Sequence, residues 1–146
     1  MIAIGADHAA YTAKEQLKEY LLEQGYQLRD YGCDSDESVH YPLYGAAVAR
    51  AVQSGECERG ILLCGTGIGM SVVANKFDGV RAALCHDAFT AAASREHNDA
   101  NILVMGARVL EQRQIREIAD IWLHGQFAGG RHQLRLNMIA EIEKGR

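Results

Sequence analysis

The alternation of two hydrophobic periods along the chain limits its possible folds more than any other feature. Short apolar runs typical of buried strands alternate with segments that have the 3.6-residue period of amphipathic helices. Chains of this kind form a parallel sheet with helices on both faces. The predicted strands are 1–7, 26–31, 60–64, 80–85 and 102–105, and the predicted helices are 9–24, 42–55, 70–77, 88–96, 111–126 and 133–144.

Residues that favour helix ends support several of these boundaries. Gly25 follows the first helix, and Pro42, the only proline, suits the first turn of the second. Asp87 precedes the fourth helix as an N-cap, and Gly129-Gly130 separates the last two helices. We therefore predict a single Rossmann-like α/β domain over 1–146, a three-layer sandwich with a five-stranded parallel sheet and an extra C-terminal helix.

Charge and cysteine content exclude several classes of function. The net charge of −4 provides no basic surface, which predicts that nucleic acid is not a partner. No apolar run approaches the roughly 20 residues of a membrane span, and the N-terminus lacks the basic region of a signal peptide. We therefore predict a cytoplasmic protein with no membrane partner, in which the cysteines are reduced thiols. These are Cys33, Cys57, Cys64 and Cys85.

The fold class predicts where a ligand binds. In doubly wound sheets, ligands lie outside the carboxyl ends of the strands. Polar or glycine-rich residues follow four of the predicted strands, at 7–8, 64–69, 86–87 and 106–108. We therefore expect the site at this edge of the sheet.

The glycine-rich turn C-G-T-G-I-G at 64–69 differs from familiar phosphate-binding motifs. The dinucleotide fingerprint needs a glycine where this chain has Met70, and the Gly-Lys-Ser/Thr of a P-loop is absent. A cysteine phosphatase needs an arginine at that same position. A receiver domain needs clustered acids after the first strand and a lysine after the fifth, whereas Asp7 stands alone and the fifth strand ends in Met105-Gly106.

A backbone nest that binds an anionic oxygen is the remaining interpretation of this turn. Glycines allow several N–H groups to face one point, and the helix that follows adds partial positive charge. A thiolate is stabilised in such a place, so Cys64 is a candidate base or nucleophile. The alternative is that Cys64 is a small buried hydrophobic residue at a strand end, which is common for cysteine.

Several short motifs in one chain together resemble ribose-5-phosphate isomerase of type B. The resemblance extends to the wider family that includes the galactose-6-phosphate isomerase subunits, and it covers the chain almost from end to end. The matching segments are GADHAA at 5–10, YP at 41–42, CGTGIGMS at 64–71, ANKF at 74–77, GVRA at 79–82, SREHND at 94–99, NILVMGARV at 101–109 and GGRHQLR at 129–135.

The resemblance implies an aldose–ketose isomerase that interconverts ribose 5-phosphate and ribulose 5-phosphate without a metal or redox cofactor. Cys64 would take the C2 proton, and Thr66 would orient its thiol. His97 would act as the acid and base that open the sugar ring. The enediolate oxygen would be held, as in an oxyanion hole, by the backbone N–H groups of Gly65, Thr66, Gly67, Ile68 and Gly69. No Cys/His spacing fits a zinc site.

The resemblance also implies which residues bind the sugar phosphate. Asp7, His8, Tyr41 and Asn98 would contact the sugar, and Arg108, Arg131 and Arg135 would bind its phosphate. Arg131 and Arg135 are four residues apart and share one helix face. Each assignment has a structural alternative: surface arginines, strand-end caps at 7–8 and a helix-end histidine at 97. One position departs from the family pattern, since His40 stands where aspartate often precedes Tyr-Pro.

The sequence is also compatible with two other functions. One is isomerisation of a six-carbon sugar phosphate, such as allose or galactose 6-phosphate. The other is a non-catalytic regulator that binds sugar phosphate, which would need neither Cys64 nor His97. One chain carries all the motif residues, whereas the galactose enzymes use two different subunits, and this favours a homo-oligomer and the ribose substrate.

The predicted helix before His97 has a consequence for assembly. It begins at the carboxyl edge of the sheet and spans roughly 13 Å, at 1.5 Å per residue, toward the opposite edge. His97 is therefore not expected to face Cys64 of its own chain. We predict a homodimer with shared active sites, or a tetramer built from it.

Overall fold

The computed structural model describes residues 1–146 and confirms the predicted α/β architecture. Five strands form one parallel sheet in the order β2-β1-β3-β5-β4. The strands are β1 (Ile2–Ala6), β2 (Leu28–Asp30), β3 (Arg59–Cys64), β4 (Ala82–Leu84) and β5 (Ile102–Gly106). The helices are α1 (Tyr11–Glu23), α2 (Tyr41–Gln53), α3 (Ile68–Ala74), α4 (Ala88–Glu96), α5 (Gln112–His124) and α6 (Arg131–Lys144), and a short 3₁₀ turn (His8–Ala10) precedes α1.

Side chains of the central strands alternate between two hydrophobic cores, one on each face of the sheet. Ile61 and Leu63 of β3 join the core beneath α1, α4 and α5, where Trp122 is fully buried. Leu62 and Cys64 point to the opposite face and pack with residues of α2 and α3. The continuous apolar character of the central strands follows from this burial on both faces. None of the helices combines the length and hydropathy that a membrane span requires.

The two edge strands are shorter than the sequence predicted. β2 pairs only with β1, and β4 pairs only with β5, and each is three residues long. The apolar pattern predicted longer strands at 26–31 and 80–85. An edge strand has a neighbour on one side only, so ladder pairing ends where that neighbour diverges, although the hydrophobic pattern continues.

The helix after the glycine turn lies earlier in the chain than predicted. It spans Ile68–Ala74, whereas the sequence predicted 70–77. The side chain of Asn75 accounts for its end. Its amide donates to the carbonyl oxygen of Ala82 at 3.0 Å and accepts from the N–H of Ala82 at 2.9 Å. Asn75 thus binds the first residue of β4 much as a neighbouring strand would.

The last helix leaves most of its apolar residues uncovered. α6 begins at Arg131, two residues before the predicted start, and His132 is its only buried residue. A groove of about 440 Å³ separates α6 from the edge strand β4. The large exposed hydrophobic residues of this helix are Leu134, Met138, Ile139 and Ile142. This apolar side has no partner within the chain.

Candidate active site

The order of the strands creates a crevice at the carboxyl edge of the sheet. The chain passes from β1 to β2 on one side and from β3 toward β5 and β4 on the other, so the loops after β1 and β3 diverge. Ligands of doubly wound folds bind at such a point. The N–H of Asp7 donates to the carbonyl oxygen of Leu63 at 3.3 Å, which places Asp7 beside Cys64.

The thiol of Cys64 is held by the glycine turn. Cys64 ends β3 and is buried, and the N–H of Gly67 donates to its Sγ at 3.2 Å. Gly67 has a φ of 82°, a left-handed conformation that favours glycine. The hydroxyl of Thr66 accepts from the N–H of Ile68 at 3.1 Å. The turn therefore directs a peptide N–H at the sulfur.

Two side chains from other elements border this turn. The N–H of Arg108 donates to the carbonyl oxygen of Gly65 at 2.9 Å, and the Arg108 side chain lies against Gly65. The ring of Tyr41, at the start of α2, packs on Gly69, where an added Cβ would lie only 2.5 Å from the ring carbon Cε1. Glycine at position 69 therefore makes room for Tyr41.

The loop after β1 completes this side of the site. Asp7 is largely buried and caps the 3₁₀ turn by accepting from the N–H of Ala9 at 3.1 Å. Nδ1 of His8 accepts from the N–H of Val39 at 3.1 Å. Both residues therefore make structural contacts and also lie at the carboxyl edge of the sheet. We call the group formed by Asp7, His8, Tyr41, residues 64–69 and Arg108 the thiol half-site.

His97 and Asn98 lie at the opposite edge of the sheet. His97 caps the C-terminus of α4, and both side chains are exposed. Arg81, just before β4, donates to the carbonyl oxygens of Asn98 and Asp99, at 3.1 Å in each case. Because Arg81 precedes the first residue of β4, the contact places His97 and Asn98 at the amino edge.

The two predicted phosphate-binding arginines on α6 lie near His97, not near Cys64. The N–H of Ala128 donates to the carbonyl oxygen of Glu96 at 3.0 Å, which joins the approach to α6 to the end of α4. His132, in the first turn of α6, stacks on the ring of His97. We call the group formed by His97, Asn98, Arg131 and Arg135 the imidazole half-site.

The two half-sites of one chain are separated by the length of the sheet. β3 has six residues and spans roughly 16 Å at about 3.3 Å per residue. Cys64 and His97 are therefore too far apart to act on one sugar within the same chain. This separation agrees with the geometry that the length of α4 predicted.

Comparison with known proteins identifies the family. The sequence profile described as Ribose/Galactose Isomerase matches residues 2–139, which is nearly the whole chain. The chain belongs to this family. The resemblance found in the sequence motifs is thereby confirmed, and with it the prediction of an isomerase.

The relatives of this isomerase match over almost their full length. Ribose-5-phosphate isomerase B of Escherichia coli (strain K12) is 45% identical over 99% of this chain and 97% of its own. D-erythrulose-4-phosphate isomerase of Pectobacterium atrosepticum is 43% identical over 97% of this chain and 94% of its own. The structure of Clostridium thermocellum ribose-5-phosphate isomerase B has a TM-score of 0.97 and 50% identity, and the match covers 99% of this chain and 97% of that one.

Sequence reasoning assigned no role to two features that lie beside His97 of this isomerase. One is His132, whose only signal was its position between Arg131 and Arg135. The other is the contact of Arg81 with the turn after α4. Arg81 belongs to the matching segment GVRA, and the turn belongs to the matching segment SREHND. Contacts between segments so far apart in the chain leave no periodic signal in the sequence.

The other three cysteines of this isomerase are buried, as Cys64 is. Burial raises the pKa of Cys33 and of Cys85, which favours the neutral thiol in both. Cys57 is buried on the same face of the sheet as Cys64. No group of three or more His, Cys, Asp or Glu side chains is arranged to hold a metal ion.

Proposed function

We propose that this isomerase interconverts ribose 5-phosphate and ribulose 5-phosphate through an enediolate. The observation that carries the proposal is the hydrogen bond that the N–H of Gly67 donates to the thiol of Cys64, at the carboxyl edge of the sheet. The names of the relatives from Escherichia coli and Clostridium thermocellum support the five-carbon substrate. The direct test is isomerisation of ribose 5-phosphate by the purified protein without added metal.

The proposed chemistry moves one proton between neighbouring carbons. The Cys64 thiolate takes the proton from C2, and the electron pair of that C–H bond forms the C1=C2 double bond of the enediolate. The negative charge moves to O1, where the backbone N–H groups of 65–69 stabilise it. Return of the proton to C1 and transfer of the O2 proton to O1 complete the ketose. Aldose and ketose have the same oxidation state, so the reaction needs no redox cofactor.

The other residues of the two half-sites bind and prepare the sugar. Thr66 helps to orient the thiol, and Asp7, His8, Tyr41 and Asn98 contact the sugar hydroxyls or the ring oxygen. Arg108 approaches the phosphate from the thiol half-site, and Arg131 and Arg135 approach it from the imidazole half-site. His97 donates a proton to the ring oxygen and accepts the O1 proton when the ring opens.

A dimer with shared sites supplies both halves to one sugar. A two-fold axis that brings the thiol half-site of one protomer to the imidazole half-site of its partner forms two identical sites. The exposed apolar residues of α6 and the groove beside β4, which reaches Asn98, support this arrangement because they need an apolar partner. Ile68, which belongs to the thiol half-site, and Val72, one turn later on α3, are exposed and offer such a surface.

The compartment that we assign to this reaction is the cytosol. All four cysteines are free thiols, and two of them, Cys57 and Cys64, are buried in the same core. Free thiols of this kind persist in reducing compartments.

We expect Arg131→Ala and Arg135→Ala each to raise KM for ribose 5-phosphate about 10- to 100-fold, with a much smaller change in kcat. A charge-assisted hydrogen bond contributes about 1.5–3 kcal/mol, and a contact made equally in the ground and transition states affects KM. Steady-state kinetics measure both constants. Arg113→Ala is the matched control, because Arg113 is an exposed arginine on another helix. A fall in kcat at unchanged KM would contradict phosphate binding by these arginines.

We expect His97→Asn to reduce turnover of a ring-closed substrate far more than that of an open-chain one. Ribose 5-phosphate closes a five-membered ring through O4. In erythrose 4-phosphate that oxygen carries the phosphate, so the sugar stays open. The expected loss is about 100-fold or more for ribose 5-phosphate, within the range for general acid–base groups, and only a few-fold for erythrose 4-phosphate. Equal losses with both sugars would show that His97 does not act in ring opening.

A four-carbon substrate is the second candidate, because the relative from Pectobacterium atrosepticum is named a D-erythrulose-4-phosphate isomerase. Six-carbon sugar phosphates are the third candidate. His40, which stands before Tyr41 where the family often has aspartate, is the sequence difference that bears on substrate preference. A regulator without catalysis has no need of the contact between Gly67 and the thiol. Comparison of kcat/KM across four-, five- and six-carbon sugar phosphates distinguishes these functions.

A further inference from the structure

A buried histidine lies directly against the ring of His97. His132 is only 8% exposed, although it stands in a helix whose other residues are more open to solvent. The two ring centroids are 4.4 Å apart and the planes differ by 16°. This is a stacked pair, and such a contact restrains the plane of the exposed ring while its nitrogen-bearing edge stays clear.

The backbone that carries His97 is anchored independently of this stack. Arg81 binds the carbonyl oxygens of Asn98 and Asp99, and Arg95 donates to the Asp99 carboxylate at 2.9 Å and to the carbonyl oxygen of Ala100 at 2.7 Å. Asp99 has a φ of 46°, which turns the chain sharply after α4. These contacts fix the main chain, and the orientation of the imidazole is left to its stacking partner.

The surroundings of His132 favour the neutral form of its ring. Burial lowers the pKa of His132, and the charges of His97, Arg131 and Arg135 lower it further, whereas Glu96 on α4 acts in the opposite direction. A neutral ring stacks against His97 in either of its protonation states. A charged ring would repel the imidazolium that His97 becomes when it accepts a proton.

We propose that His132 is a positioning residue for ring opening, which fixes the plane of the His97 imidazole by stacking on it. The proposal rests on the proposed function, since it assigns His97 the role described there. The competing role for His132 is a third phosphate ligand between Arg131 and Arg135. A ligand would change KM, whereas a positioning residue changes kcat for substrates that must open a ring.

Three variants separate these roles. His132→Leu removes the ring, His132→Phe keeps a flat ring that does not titrate, and Gln133→Ala is a control at the exposed neighbour. With ribose 5-phosphate we expect His132→Leu to lower kcat about tenfold, which corresponds to about 1.4 kcal/mol in the barrier. We expect His132→Phe to retain most of kcat, and erythrose 4-phosphate to be turned over almost normally by both variants.

A double variant tests whether His132 acts through His97. We expect His97→Asn combined with His132→Leu to be no slower than His97→Asn alone, because the second change has nothing left to orient. Multiplied losses, or equal losses with both sugars, would overturn the proposal. A raised KM at unchanged kcat would instead assign His132 to phosphate binding and would overturn it as well.

A measurement without substrate keeps the test independent of the proposed function. The ring protons of His97 are expected to resonate upfield in the wild-type protein because of the ring current of His132, as observed by NMR. The upfield position should be lost in His132→Leu and kept in His132→Phe. Unchanged resonances in folded His132→Leu protein would overturn the proposal. Failure of the wild-type protein to isomerise ribose 5-phosphate would refute the proposed function and leave this readout intact.

Discussion

Cys64→Ala protein is expected to retain its fold and its affinity for ribose 5-phosphate while losing nearly all isomerase activity. Removal of a general base typically costs about 10²- to 10⁴-fold, so kcat should fall by at least about 100-fold. The physical reason is that a C2 proton next to a carbonyl is only weakly acidic and needs a dedicated base. The other thiol near this edge is Cys33, whose N–H donates to the carbonyl oxygen of Ala6 at the end of β1, and burial raises the pKa of that thiol. Steady-state kinetics measure kcat, and calorimetry with ribose 5-phosphate measures binding.

Cys57→Ala is the matched control for this experiment. Cys57 is a buried cysteine that packs in the same hydrophobic core as Cys64, so both changes remove one sulfur from the same face of the sheet. A similar loss of thermal stability in both variants, with activity lost only in Cys64→Ala, separates the chemical role from packing. Near-normal kcat in Cys64→Ala would refute its assignment as the base.

Mixing two inactive variants is expected to restore activity. In a 1:1 mixture of Cys64→Ala and His97→Asn proteins, half of the dimers are mixed after random exchange. Each mixed dimer has one site in which both residues are intact, so about one quarter of all sites should be active. The reason is the separation of the two half-sites by the length of the sheet. Activity is measured before and after exchange, and native mass spectrometry confirms the mixed dimer.

A second mixture makes this test reciprocal. The double variant Cys64→Ala/His97→Asn, exchanged in equal amount with wild-type protein, should halve the wild-type activity. Shared sites predict this loss because every mixed dimer has one changed residue in each site. If each chain closed its own site, the wild-type chains would keep full activity. Confirmed exchange with no gain in the first mixture and no loss in the second would exclude shared sites.

Local features of the sequence predicted the elements on which the site depends. The strand of β3, the glycine turn after it and the helix α4 with its Asp87 cap were all predicted from period and capping, and the structure has them. Asp87 accepts from the N–H of Thr90 at 2.8 Å, as an N-cap does. Such features involve residues close together in the chain, so they can be predicted from a short stretch of sequence.

Boundaries that depend on distant residues were predicted less well. The helix α3 ends at Ala74 because Asn75 binds the backbone of Ala82, and β4 is short because it has a single neighbour. Neither partner is visible in a local pattern. The same is true of the anchor between Arg81 and the turn after α4, which joins residues 17 and 18 positions apart.

By itself the sequence predicted the parallel α/β sheet, the family, the edge of the sheet at which a ligand is expected and the residues proposed to act on the sugar. It did so because hydrophobic period, capping and short motifs are local properties. The separation of His97 from Cys64 was predicted from the length of the helix between the sheet edges, but only the tertiary structure decided that α6 packs on the end of α4, which places Arg131 and Arg135 near His97, and that His132 stacks on His97. The physical reason is that the packing of α6 on the end of α4 depends on contacts between distant segments, which no local pattern encodes.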